Sequence, residues 1–221
     1  MAEAEREGTR AVVCVPVGLG GTPDGERITR AEDSGGVHCD PRDRFFSHAN
    51  DGNAEMAPVR VNRKVRAGKH AILDVFPGLD RSAAFRAIFP DGLREEVLRD
   101  CEIDVVPEDM YMYIDDKAGN VVAGLGYLKE GDEKILYLDV LHELTHIRQW
   151  HAGKELWDRR YNYVDRPTEI EAYRVAVGEA RSLGMTDREI ADYLRVEWTS
   201  REEHERLCKH LGVRSPESRA V

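Results

Sequence analysis

The chain has 221 residues, 41% hydrophobic and 33% charged, which is globular composition and enough length for one domain with a proper core. Its 42 Asp+Glu against 32 Lys+Arg give a formal net charge of -10, and that sign opposes association with nucleic acid or with anionic membranes. No apolar run approaches the roughly 20 residues of a membrane helix, and the opening MAEAEREGTR resembles neither a secretory signal nor a transit peptide, so a cytoplasmic protein is expected.

Residues 1–62 are rich in Gly, Asp, Pro and Ser around one short apolar run, AVVCVPV. Such a stretch buries too little to offset its ordering entropy, so a mostly disordered segment is expected there, followed by a single domain over 63–213 and a flexible tail over 214–221. The basic stretch VNRKVRAGKH (61–70) reads as a solvated edge or linker. Cys14, Cys39, Cys101 and Cys208 are scattered without a C-x-x-C pair and read as free thiols.

SAAFRAIFPDGLREEVLRD (82–100) predicts a helix interrupted at Pro90, with Asp91 available as a cap. EIDVVP, YMYIDD, VVAGLGYL and KILYL then have the β-branched and aromatic make-up of strands. DKAGN and KEGDE read as the turns of successive hairpins, which predicts consecutive antiparallel strands. Asp139 is placed to cap a helix running to about Ala152, with Gly153 as its stop signal. Pro167 opens a further helix, PTEIEAYRVAVGEARSL, ended by Gly184. Thr186 with Glu189, and Ser200 with Glu203, have capping-box spacing and mark two more helices.

Inside the first of these helices lies His142-Glu143-Leu144-Thr145-His146. Side chains at i and i+4 share one helical face, so both imidazoles can reach one cation, with zinc as the natural occupant. Glu143 points about 100° round the helix, off the metal but toward a water bound to it, the position of a general base. Helical phase turns Val140, Leu144 and Ile147 toward a core. A catalytic zinc generally takes three protein ligands, and the helix from Pro167 offers Glu169 or Glu171. Glu169 is preferred because it shares its face with Ala172, Tyr173 and Ala176, residues suited to close helix packing. The expected fold is α+β, a small antiparallel sheet followed by the zinc-binding helix and a C-terminal helical part. His151, Tyr161, Tyr163 and Tyr173 are candidates to stabilise an oxyanion, whereas His204 and His210 read as surface residues.

The motif HELTH, followed by a glutamate on a later helix, resembles the gluzincin class of zinc metallopeptidases. The E-x-x-A form of EIEA (169–172) is similar to that of prenyl-protein peptidases, ImmA/IrrE-type peptidases and minigluzincins. The resemblance covers roughly residues 120–185. It implies His142, His146 and Glu169 as zinc ligands, Glu143 as the base, a peptide or protein substrate, and VVAGLGYL as the edge along which an extended peptide adds as an extra strand. The chain departs from the thermolysin-type pattern at Tyr173, where that pattern has an aspartate, so a carboxylate supporting the His142 ring is unassigned. Two alternatives keep the metal. One is a non-peptidase amide hydrolase with a cysteine, Cys101, as third ligand, and the other is a non-catalytic regulatory or partner-binding module.

Overall fold

A four-stranded sheet lies against one side of a long helix, and a cluster of C-terminal helices packs beside it. The computed structural model describes residues 59–215. The expectations for AVVCVPV, Cys14 and Cys39, like those for most of the N-terminal segment and for residues 216–221 of the tail, lie outside the described residues. The domain takes in residues ahead of 63: Val59 and Val61 are buried in the core. Their strand-like stretch is tied down by Arg60 N–H to Pro77 O at 3.1 Å and Asn62 N–H to Val75 O at 2.8 Å.

The sheet runs β1 (Gly68–Ala71), β2 (Glu102–Val106), β3 (Met112–Asp115) and β4 (Asn120–Gly124), in spatial order β1-β2-β4-β3. The basic stretch supplies β1, a short and mostly exposed edge strand in which Lys69 pairs with Glu102 at 3.2 Å, a charged edge of the kind that discourages pairing with other chains. β3 and β4 form the expected hairpin through DKAGN, where Gly119 takes φ 69°. The β2–β4 pair is parallel, while β1–β2 and β3–β4 are antiparallel, so the sheet is mixed rather than wholly antiparallel. This order also puts β4 between β2 and β3, so VVAGLGYL supplies a central strand, and β3 is the edge opposite β1 among the described residues.

VVAGLGYL leaves the sheet at Gly124 and becomes helix α4 (Leu125–Glu130). Close approach is the reason for glycine here: a Cβ on Gly124 would stand 2.2 Å from the Met110 carbonyl oxygen. KILYL is not a strand but the first turns of α5 (Glu133–His151), whose N-cap is Asp132 rather than Asp139, accepting from Lys134 N–H at 2.9 Å and Ile135 N–H at 3.1 Å. Leu136, Val140, Leu144 and Ile147 continue one buried stripe along the whole helix, and this long-range helical phase outweighs the β-propensity of five residues. KEGDE is accordingly a helix-to-helix connection.

Upstream lie α1 (Ile72–Val75), α2 (Ala83–Ile88) and α3 (Asp91–Asp100). Pro90 breaks the helical stretch as expected, but it occupies the N-cap position itself, and Asp91 instead pairs with Arg94 at 2.9 Å inside the first turn. Downstream, α6 (Pro167–Ser182), α7 (Asp187–Tyr193) and α8 (Arg201–His210) begin where expected, both capping boxes forming with the predicted partners. One apolar core fills the space between the sheet, α2 and α5; a second, built on Leu138, Tyr173, Val177, Ile190 and Leu207, joins α5 to the C-terminal helices. The α+β arrangement therefore has α5 as its shared spine. No helix among the described residues is long and apolar enough to cross a membrane.

Candidate metal centre

The longer α5 places HELTH in the middle of the helix rather than in its first turns. His142 and His146 project from the face that packs against α6, where Glu169 sits in the first turn opened by Pro167. His146 and Glu169 are fully buried, and His142 and Glu143 are each 6% exposed. The ring Nε2 atoms of the two histidines stand 3.0 Å apart. Glu169 Oε2 lies 3.3 Å from the first and 3.4 Å from the second, yet makes no well-directed hydrogen bond to either.

Tetrahedral zinc with bonds of about 2.0–2.1 Å requires its ligand atoms to stand about 3.3 Å from one another. The three separations match that requirement, and the donor set of two imidazoles and one carboxylate is that of a catalytic zinc site. Among the described residues, His142, His146 and Glu169 form a group able to hold a metal ion. Of the two candidate acids, the fold therefore brings Glu169 to the histidines. Glu171 turns away to Arg148, Gln149 and Lys154, each at 2.8 Å, and these partners outweigh its desolvation and hold it down to about 2. Cys101 is not part of the group; its thiol is buried, pushed up to about 12 by desolvation, and donates to Glu102 O. Cys208 is likewise a buried thiol, with its Sγ 3.4 Å from His204 Nε2.

The protons of the metal-free site follow from burial and from the charges enclosed with it. Desolvation lowers His142. It also acts against a charged His146, but Glu169 and Glu143 outweigh it and push that ring up to about 9. Glu169 is held well below the carboxylate range, because His146 and His142 overcome the cost of its burial. Burial, reinforced by Glu169 and Asp139, pushes Glu143 up to about 8, against the opposing charge of His146. The helix that carries the expected base packs against the edge strand β3.

No family model, no curated protein and no solved structure matches this chain. The site must therefore be read from its own surroundings.

Several of those surroundings were not singled out by the sequence reading. Gln149, one turn beyond His146, accepts from its Nδ1 at 2.8 Å, a contact implied by i, i+3 spacing. Arg166 donates to Glu169 Oε1 at 3.3 Å and lies over the Trp157 ring, 5.8 Å from its centroid. Trp157 in turn faces His146 with ring centroids 5.9 Å apart and donates to Asp116 Oδ2 at 2.9 Å, which pins the α5–α6 connection to the β3–β4 turn. Of the four oxyanion candidates, Tyr173 packs edge-on against His142 with centroids 4.3 Å apart, and its hydroxyl meets that of Tyr163 at 2.7 Å. His151 lies beside Trp150 and 3.9 Å from Glu96, and Tyr161 is exposed. Asp139, no longer a cap, accepts from the Tyr127 hydroxyl. His204 is not a surface residue: it is buried, with Nε2 2.8 Å from the Ala191 carbonyl oxygen. His210 is exposed and pairs with Asp165 at 3.0 Å.

Proposed function

We propose that this chain is a zinc-dependent peptidase of gluzincin type, hydrolysing a peptide bond with Glu143 as general base. The observation that carries the reading is the convergence of His142, His146 and Glu169, from two helices, at the mutual separations of tetrahedral ligands, with Glu143 buried beside them. Zinc held there would bring the pKa of a water to about 7 and polarise a carbonyl oxygen.

The remaining work falls to the chain. Glu143, directly after His142 and buried beside it, takes the proton of the attacking water and returns it to the leaving amine nitrogen, which departs as a neutral amine. The near-complete burial of the site excludes bulk water and strengthens these charge interactions. The β3 edge, packed against α5, is suited to align an extended peptide by backbone pairing, the role first expected for VVAGLGYL. The cysteine-ligand alternative loses support because Cys101 stands outside the ligand group.

Glu143→Gln separates catalysis from metal binding. Elemental mass spectrometry should find about one zinc per chain in parent and variant alike, with cleavage of an unfolded protein substrate by the parent alone. Equal cleavage by the variant would refute the assignment of the base. Zinc retained by a parent that cleaves nothing, while capturing a specific partner, would favour the non-catalytic module.

A further inference from the structure

The two imidazoles of the site are not equivalent. His142 Nδ1 is buried without a hydrogen-bond partner among the described residues, whereas His146 Nδ1 stands 2.8 Å from Gln149 Oε1. We propose that Gln149, oriented by Glu171 and by the Thr168 carbonyl, is a positioning residue that fixes the proton of His146 on Nδ1 and so presents its Nε2 lone pair to the metal. This inference rests on the metal-binding reading above.

The chain of reasons starts at Glu171. Its carboxylate is held from one side by Arg148 Nη2 at 2.8 Å and by Lys154 Nζ at 2.8 Å, so it is fixed in place and accepts only. Gln149 Nε2 donates to Glu171 Oε2 at 2.8 Å and to the Thr168 carbonyl oxygen at 3.0 Å. Two acceptors on one side of a carboxamide demand its NH2 group there, so its oxygen faces His146. An oxygen facing Nδ1 requires a proton on Nδ1, and a neutral ring then keeps Nε2 free to bind a cation. A flipped amide would set its NH2 against Nδ1, move the proton to Nε2 and block the site. The acid that is not a ligand thus acts on the ligand set through an amide 1% exposed. Among the described residues, none exerts a comparable control on the tautomer of His142.

The test uses the full chain and zinc itself. Zinc affinity is measured by competition with a chromophoric chelator for the parent, Gln149→Leu, the near-isosteric Gln149→Met and Glu171→Gln. Nitrogen-15 NMR of the zinc-loaded parent records which nitrogen of His146 carries a slowly exchanging proton. Loss of the Gln149 amide should weaken zinc binding on the order of tenfold to a hundredfold, the usual effect of removing an outer partner of a ligating histidine. Glu171→Gln, whose carbonyl oxygen still accepts from Gln149, should stay near the parent. His146 of the parent should show a protected Nδ1–H, a signature that a purely structural glutamine would not require. Parental affinity in a folded Gln149→Leu or Gln149→Met, or an unprotonated Nδ1 on His146 of the zinc-loaded parent, overturns the inference while leaving the metal site intact. A parent that takes up no zinc removes the metal-binding reading and this inference with it, and so distinguishes the two failures.

Discussion

Zinc should stabilise the folded chain by a predictable amount, and only through the residues assigned as ligands. His142 and His146 share one helix, but Glu169 reaches them only when α6 packs against α5, so the three-ligand site is a property of the folded state. An ion that binds only that state stabilises it by about 4 kcal/mol at a thousandfold excess over its Kd. For a domain of this size each kcal/mol moves the Tm by roughly 2–4 °C, which gives a rise of about 8–16 °C. Glu169→Ala, if it weakens binding about a hundredfold, leaves RT ln 11 or about 1.4 kcal/mol at the same zinc concentration, a rise of only about 3–6 °C. Glu143→Gln, which touches no ligand assignment, should keep the full rise. Differential scanning calorimetry of the three proteins, with chelator and with zinc, reads all of this directly. No shift in the parent, or an equal shift in Glu169→Ala, would refute the ligand set.

Other perturbations probe the frame around the site. Tyr137, buried in α5, bridges Ser82 Oγ at 2.6 Å and Glu179 Oε1 at 2.8 Å, so Tyr137→Phe should cost about 1–3 kcal/mol in urea unfolding by leaving both partners underbonded. Gly124→Ala drives a Cβ into the Met110 carbonyl at 2.2 Å; because the clash is with backbone, the protein should lose its β4–α4 junction, seen as a lowered Tm and loss of zinc uptake together. Asp165, beside Arg206 at 3.1 Å and His210 at 3.0 Å, has a folded-state pKa below its ordinary value, its partners outweighing desolvation. A depressed carboxyl contributes stability that is present above the unfolded pKa of about 3.9 and is lost as pH falls through the folded value. The difference in urea midpoint between parent and Asp165→Asn should therefore be present above pH about 4 and shrink as the pH drops below it. A difference unchanged down to pH 2 would contradict the pairing.

How much of the centre was legible in the sequence depends on how far apart its parts lie. His142, Glu143 and His146 fall within five consecutive residues, so helical periodicity alone fixes their relative directions. The caps at Thr186 and Ser200 and the start at Pro167 were legible for the same reason, since a cap acts on backbone groups two or three residues away. KILYL misled because five residues of β-propensity are weak local evidence. What decides its state is whether the same apolar stripe continues through Val140, Leu144 and Ile147, and that stripe gains its energy only against the sheet.

The sequence by itself determined the motif and the two competing acids from spacings within a turn or two, and the α+β class from its segment composition. Only the tertiary structure decided that Glu169 faces the histidines while Glu171 serves Gln149, that β4 is central and β3 the edge, and that Cys101 stands apart. Each of these is a question of which surfaces meet between segments well separated in the chain. The answer comes from burial of the whole α5–α6 interface and from the pairing of strands distant in sequence, energies that no local spacing contains.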